Sequence, residues 1–109
     1  MKIEFIETKE FEKKWKRLKL GEEDLRKLQL FLLNNPDAAP ILQGTGGVRK
    51  IRWSLGNAGK SGGVRVLYID FNVDEQIYLL TVFSKNEKID LSQSERNAIK
   101  LFVKHLKEE

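Results

Sequence analysis

The segment Val64–Ser84, VRVLYIDFNVDEQIYLLTVFS, decides the fold of this chain. Two apolar runs rich in β-branched and aromatic residues occupy its ends, Val64–Phe71 and Gln76–Ser84. Runs of this length and composition predict β-strands. Because only a short connection around Val73–Glu75 separates them, the two strands are expected to form an antiparallel hairpin.

Two further strands are predicted on the N-terminal side of this hairpin. The run Val48–Ser54 (VRKIRWS) alternates polar and apolar residues, which indicates a strand with one buried face. A glycine-rich connection, residues 56–63, joins this run to the hairpin. The opening run Lys2–Glu7 (KIEFIE) alternates in the same way and predicts a short first strand.

Apolar residues at helical spacing predict two consecutive helices between the first two strands. Thr8 is the expected N-cap of the first helix, whose apolar stripe contains Phe11 and Trp15. The acidic residues 22–24 favour the first turn of the second helix through the helix dipole, and Pro36 follows its end. Together the two helices predict a helical hairpin.

The C-terminal segment predicts one more helix. Ser92–Glu95 matches a capping box, and apolar residues at helical spacing continue to Leu106. The order of elements is then β-α-α-β-β-β-α, which predicts a single α+β domain over residues 1–109. We expect the helices on one face of a mostly antiparallel sheet and an uncovered second face that is available for function.

Composition excludes several classes of protein. The 109 residues are 40% hydrophobic and 33% charged, which is typical of one globular domain and not of a disordered tail or a membrane protein. No secretory signal is evident, so a cytoplasmic location is expected. Cysteine is absent and histidine occurs once, which excludes disulfides, thiolate nucleophiles, and metal sites built from cysteine or several histidines.

The central segment carries the largest positive excess of a chain whose net charge is +4. Residues 36–72 carry 5 basic and 2 acidic side chains, and no acidic residue occurs from Ala38 to Ile69. This placement favours a polyanionic partner for the central segment. The alternative is a solvated basic loop.

The central strands also bring basic residues towards one another. Alternation places Lys50 and Arg52 on one face, about 7 Å apart, close to the spacing of successive phosphates. Arg65 begins the next strand and Lys85 follows the last one. With Lys60 and Lys88, five or six cations are expected to converge with no carboxylate nearby. Such a group predicts phosphate binding; individually solvated strand-edge cations are the alternative.

Two glycine-rich runs, Gly44–Gly47 and Gly59–Gly63, resemble phosphate-binding loops only superficially. The second contains Gly59-Lys60-Ser61, but Ser54 stands where the nucleotide-binding motif has its first glycine. A strand, not a helix, is predicted to follow. We therefore predict tight turns or a flexible cleft lip instead of a nucleotide site.

Three runs taken together resemble the RelE/HigB family of toxins, and within it the HigB-like branch. They are residues 42–53 (LQGTGGVRKIRW), 59–68 (GKSGGVRVLY) and 78–88 (YLLTVFSKNEK). Any one of them is a weak signal, but the combination at these spacings is specific. The resemblance covers nearly the whole chain and implies a RelE-like fold with the predicted order of elements.

The resemblance implies the toxin of a type II toxin–antitoxin pair that acts as a ribosome-dependent mRNA endonuclease, or mRNA interferase. Members of this family cut mRNA at the decoding site when the 2′-hydroxyl attacks the adjacent phosphate, and no metal or cofactor is required. The partners that it implies are the ribosome, mRNA and a cognate antitoxin, expected to be of HigA type with a helix-turn-helix domain.

By strand position, the resemblance also assigns roles to single residues. Lys50 and Arg52 match the basic pair of the family, Arg65 its transition-state arginine, and Lys85 its second phosphate-binding cation. Contact with RNA or the ribosome is assigned to four further residues: Arg49, Lys60, Phe83 and Lys88.

Two departures from the family pattern affect these roles. Leu91 stands where the best-known branch has a tyrosine near the end of the catalytic strand–helix junction. Phe83 stands where HigB-like relatives can carry tyrosine, so it can stack on a base but cannot transfer a proton. Lysine, arginine or the ribosome must then supply the acid and the base.

Two other functions stay open at this point. A ParE-like inhibitor of DNA gyrase shares the superfamily, but ParE-like chains typically lose the set of Lys50, Arg52, Arg65 and Lys85. A non-catalytic RNA-binding module could use the same basic face without cutting RNA.

Overall fold

A computed structural model describes residues 3–54, 63–71, 74–85, 87 and 90–108. It contains four strands and three helices in the predicted order β-α-α-β-β-β-α. These are β1 (Glu4–Glu7), α1 (Lys9–Arg17), α2 (Glu22–Asn34), β2 (Arg49–Ser54), β3 (Gly63–Phe71), β4 (Gln76–Ser84) and α3 (Gln93–Glu108). The predicted α+β class is confirmed.

The four strands form one mixed sheet in the order β1-β4-β3-β2. β2 pairs antiparallel with β3, and β3 pairs antiparallel with β4, as the hairpin prediction requires. β1 pairs parallel with β4, with Glu4 opposite Gln76. The register between β3 and β4 shifts between Leu67 and Tyr68. Since β1 and β2 lie at opposite edges of the sheet, the helical hairpin between them crosses it.

The helical hairpin covers one face of the sheet. Phe11 and Trp15 of α1 stack on each other with ring centroids 5.3 Å apart, and both are buried. Leu28 and Leu32 of α2 join them against inward-facing residues of the sheet. Thr8 caps α1, as predicted, by accepting a hydrogen bond from the backbone N–H of Phe11.

The second face of the sheet is covered in part by α3, which corrects the expectation of an uncovered face. Val103 is buried, and it packs with Leu67, Ile69 and Leu80 in a second core cluster. The apolar stripe of α3 requires a partner, and the face left by the hairpin is the apolar surface within reach. On this second face, only the part of the sheet that α3 does not cover is therefore open to ligands.

Both ends of α3 are fixed. At its start, the predicted capping box forms: the backbone N–H of Glu95 donates to Oγ of Ser92, and that of Ser92 donates to the Glu95 carboxylate. Near its end, Nζ of Lys107 donates to the carbonyl of Gly46 at 3.2 Å. A Cβ at Gly46, where φ is +84°, would lie 3.3 Å from Val103, so glycine permits this close approach.

The Gly44–Gly47 run is a tight turn, as one of the two predictions states. Thr45 is buried, its hydroxyl donates to the carbonyl of Leu42, and it accepts from the backbone N–H of Val48. The loop tip of the second run, residues 59–62, lies outside the described residues. No helix in the described part of the chain is long and apolar enough to cross a membrane.

Candidate nucleic-acid interface

Two arginines face each other across the centre of the candidate site. Arg52 of β2 is the direct register partner of Arg65 of β3, and Arg65 is in turn the partner of Phe83 of β4. Directly paired residues project from the same face, with Cβ atoms about 5 Å apart. Like charges at this separation destabilise a sheet. The pair is therefore a local cost to stability that an anionic ligand would relieve.

Arg65 has space for its guanidinium next to the start of its own strand. A Cβ at Gly63 would lie only 3.7 Å from Nη1 of Arg65, so the side chain lies beside this glycine. Within the described residues, neither Arg52 nor Arg65 forms an ion pair. Their charges are therefore not balanced by a carboxylate in this part of the chain.

Lys50 does have an acidic partner. Its Nζ lies 4.0 Å from Oδ1 of Asp90, which precedes α3. The same oxygen accepts a hydrogen bond from Nη2 of Arg96 at 3.0 Å, and Nη1 of Arg96 donates to the carbonyl of Gln43 at 2.7 Å. The expectation that no carboxylate lies near the cations is therefore wrong for Lys50: the chain that precedes α3 folds back onto the sheet and brings Asp90 to it.

The environment of Asp90 holds the pKa of its carboxyl below the ordinary value of 3.8. The largest cause is the hydrogen bond from the backbone N–H of Leu91, at 2.7 Å. The positive charges of Arg96 and Lys50 act in the same direction. Asp90 is thus ionised at neutral pH and keeps both cations oriented.

The Asp90→Asn variant should lose a pH-dependent part of the protein's stability. Because the folded-state pKa is lowered, the carboxylate stabilises the fold above its ordinary pKa, and this contribution disappears as pH falls through the folded value. We expect a lower melting temperature than wild type at pH about 7 and a difference that disappears as the pH is lowered below the folded-state pKa of Asp90. A melting-temperature series over this range checks it; a difference independent of pH would show that the charge contributes nothing.

Lys85 follows β4 in a turn that a second acidic residue holds. The Glu87 carboxylate accepts from the backbone N–H of Ser84 at 3.1 Å, and it lies 3.4 Å from Nη2 of Arg17. Since Ser84 pairs with Val64, this turn lies at the end of the sheet where β3 begins, next to Arg65. Lys85 is exposed there. Lys60 and Lys88 lie outside the described residues.

Arg49, assigned to contact with RNA or the ribosome, does not lie on the same face as Lys50 and Arg52. It pairs with Tyr68, whose side chain belongs to the core beneath the helical hairpin. Nη1 of Arg49 donates to the backbone carbonyl of Ala39. The hydroxyl of Tyr68 donates to the backbone carbonyl of Pro36 at 2.9 Å. Alternation along β2 directs Arg49 away from the face of Lys50, so it holds the loop after α2.

Phe83 lies on the predicted face but is only 3% exposed. It belongs to the core cluster that α3 forms with the sheet. In this conformation its ring therefore packs in the core. Stacking on a base would require an exposed ring.

Two site residues were missed in the sequence, Asp90 and Arg96. Both lie near the capping box, Asp90 two residues before Ser92 and Arg96 in the first turn of α3. The capping box fixes where a helix begins but not against which strand it packs. Among the described residues, no group of three or more histidine, aspartate or glutamate side chains could hold a metal ion.

Comparison with known proteins identifies the family. A family model described as the RelE toxin of the RelE/RelB toxin–antitoxin system matches residues 1–109. The chain belongs to the RelE toxin family. The predicted membership of the RelE group is confirmed, and placement in the HigB-like branch stays a prediction.

Solved RelE structures share this fold. A double arginine-to-alanine mutant of the E. coli toxin RelE in the free state is 21% identical, with a TM-score of 0.60 over 94% of this chain and 98% of that one. The E. coli RelBE toxin–antitoxin complex is 23% identical, with a TM-score of 0.55 over 76% and 96% of the two chains. The isolated E. coli RelE toxin is 22% identical, with a TM-score of 0.54 over 93% and 99%.

Proposed function

We propose that this RelE-family toxin is a ribosome-dependent mRNA endonuclease that inhibits translation. The observation that carries the proposal is the direct pairing of Arg52 with Arg65, without an ion pair for either within the described residues. Lys50 lies two residues from Arg52 on the same face. A cationic surface of this kind is suited to a phosphodiester whose charge increases during reaction.

The proposed reaction is an internal transfer at one phosphate. The 2′-oxygen of a ribose forms a bond to the adjacent phosphorus while the bond from phosphorus to the 5′-oxygen breaks. The products are a 2′,3′-cyclic phosphate and a free 5′-hydroxyl. The proton of the 2′-hydroxyl goes to a base, and the leaving 5′-oxygen receives one from an acid. No co-reactant is consumed.

Each cation has a distinct part in this proposal. The planar guanidinium of Arg65 binds two non-bridging oxygens at once and stabilises the pentavalent phosphorane. Lys85 binds the phosphate from the end of β4, and Arg52 holds a flanking phosphate. Lys50, whose Nζ lies 4.0 Å from Oδ1 of Asp90, is assigned the transfer of a proton to the leaving oxygen. Dependence on the ribosome follows if the ribosome supplies the base.

We further propose that a cognate antitoxin neutralises this toxin, as the E. coli RelBE toxin–antitoxin complex suggests. An antitoxin of HigA type with a helix-turn-helix domain, encoded by a neighbouring gene, is the specific expectation. Because the substrate is ribosome-bound mRNA, the protein would act in the cytoplasm. Co-expression with the neighbouring gene product should yield a stable complex.

A translation extract separates this function from the two alternatives. Wild-type protein is added to a ribosome-containing extract, and the mRNA is mapped by primer extension. New 5′ ends within the reading frame support the endonuclease. Blocked translation with intact mRNA would point to a binding module, and unaffected translation with inhibition of DNA supercoiling would point to a gyrase inhibitor.

Binding to RNA should weaken steeply with salt. Each phosphate contact on a single strand contributes a log–log slope of about −0.7, so three to four cations predict a total slope of roughly −2 to −3. Fluorescence anisotropy with a labelled RNA, at salt concentrations from low to physiological, measures it. The Arg52→Ala variant should reduce the slope by about one contact. A salt-independent affinity would mean that these cations do not carry recognition.

A further inference from the structure

The outer side of α3 presents apolar side chains that nothing in the described chain covers. Leu101 and Phe102 are 55% and 42% exposed, and Ala98 is exposed one turn earlier. We call these three residues the α3 ridge. They lie at helical spacing on the side of α3 away from the buried Val103. A contiguous exposed apolar strip on a helix is typical of a protein-binding surface.

A cavity of about 410 Å³ lies beside the ridge, between α3, β4 and the start of α1. Ala98 and Phe102 line it from the α3 side, and Leu80 and Thr81 line it from the sheet. The register shift opposite Leu67 places these two consecutive residues of β4 in the same cavity.

The hydroxyl of Thr81 has no hydrogen-bond partner within the part of the chain that the structure describes, although the residue is only 8% exposed. Buried hydroxyls are nearly always hydrogen-bonded, so this one in a cavity wall can accept or donate a bond to a water or to a polar group of a bound molecule. The cavity thus has apolar walls on the sides of α3 and β4 with Thr81 at its inner wall, and four further polar side chains line it: Thr8, Glu10, Lys14 and Glu95.

The other side of the ridge is basic. Leu101 lines a second depression, together with Lys100, Lys104 and Lys107, and Glu108 is the one carboxylate among its lining residues. A second copy of this chain would bring its own lysines against these three. An acidic segment would instead complement them.

We propose that the α3 ridge is the docking site for an acidic amphipathic helix of the cognate antitoxin. Apolar side chains of that helix would cover Leu101 and Phe102 and enter the cavity, where one polar group pairs with Thr81. Its acidic side chains would face the lysines. Helix-in-groove binding of this kind combines apolar anchors with a charged rim. The proposal rests on the proposed antitoxin partner.

The position of the ridge explains how docking would neutralise the toxin. Phe83 lines the same cavity and is the direct register partner of Arg65. A helix seated there lies one strand away from the proposed catalytic arginine. It would therefore block access of the ribosome while α3 stays on the sheet.

The test compares single changes on exposed residues that lie outside the cationic site. Leu101→Glu and Phe102→Glu should each weaken binding of the purified antitoxin about 30-fold or more, as loss of an interface anchor does. The Leu30→Glu variant is the matched control, because Leu30 is a 58% exposed leucine on α2. It should bind like wild type. Affinity is measured by titration calorimetry, with the melting temperature of each variant.

The charge complementarity has its own variant, Lys100→Glu with Lys104→Glu. It should slow association with the antitoxin at low salt and remove most of the salt dependence of the association rate. Surface plasmon resonance at two salt concentrations measures this. An unchanged association rate would contradict an acidic partner helix.

Antitoxin binding and mRNA cleavage are measured separately, so the docking site and the nuclease activity can each fail without the other. Equal affinity of Leu101→Glu and Leu30→Glu for the antitoxin would overturn the docking site, even if the wild-type protein cuts mRNA. Absence of any complex with wild type would overturn it as well, as would dimerisation in solution that Leu101→Glu abolishes. Loss of binding by Leu101→Glu from a wild-type protein that cuts no mRNA would support the docking site and contradict the nuclease.

Discussion

The Arg65→Ala variant is expected to cut mRNA on the ribosome more slowly by on the order of 10²-fold or more, the effect of removing one transition-state donor. Arg65 is paired with Arg52 and lies beside Gly63, at the centre of the cationic face. Arg65→Lys should lose most of the rate too, because an ammonium cannot bind two phosphate oxygens in the planar geometry of a guanidinium. Cleavage rates on purified ribosomes measure both.

Folding should survive these changes. Removing one of two paired arginines relieves like-charge repulsion and opens no cavity. The Arg26→Ala variant is the control, since Arg26 is an exposed cation of α2, away from the site. Lys85→Ala and Arg52→Ala should also lower the rate, and Lys50→Ala should do so through the leaving-group proton. Near-normal cleavage by Arg65→Ala, with an unchanged melting temperature, would refute the role of this arginine.

The largest loss of stability is expected for Phe11→Ala. Phe11 is fully buried between the helical hairpin and the sheet, and its ring stacks on that of Trp15 with ring centroids 5.3 Å apart. Truncating a buried phenylalanine costs about 3–5 kcal/mol, from lost burial and the cavity left behind. This is a large fraction of the roughly 5–15 kcal/mol that stabilises a typical domain.

Urea unfolding followed by circular dichroism measures this loss. Phe102→Ala is the matched control, because Phe102 is 42% exposed and the same truncation there leaves no enclosed cavity. A loss below about 1 kcal/mol for Phe11→Ala would mean that the core beneath the hairpin is not packed as described.

The order and type of the elements could be predicted because each has a local signal. The alternation in Val48–Ser54 and the apolar runs in Val64–Ser84 coincide with β2, β3 and β4 to within a residue. Thr8 and Ser92 form their predicted caps. Propensity and hydrogen bonding within a few residues determine these features, so the sequence carries them directly.

The placement of α3 could not be predicted in the same way. A helix with one apolar stripe can pack on either face of a sheet, and the stripe containing Val103 does not reveal which. This one ambiguity explains why the second face was expected to be open, why Phe83 was interpreted as a base-stacking ring and not as a packing residue, and why Asp90 was missed beside Lys50.

The sequence predicted which residues share the face of the candidate site, but not the contacts that their side chains make. Period-2 alternation placed Lys50 and Arg52 together, and the strand register brings Arg65 opposite Arg52. Alternation also directs Arg49 to the other face, where its guanidinium binds the carbonyl of Ala39. Its assignment to contact with RNA or the ribosome followed the resemblance and not the alternation.

The chemistry of the RNA ends tests whether this toxin cuts mRNA by attack of the 2′-hydroxyl. A defined mRNA is bound to purified ribosomes, wild-type protein is added, and the fragments are analysed for both termini. We expect fragments with a 2′,3′-cyclic phosphate and a 5′-hydroxyl, formed only in the presence of ribosomes and lost with Arg65→Ala. Intact mRNA at protein concentrations that saturate the ribosome would contradict this expectation.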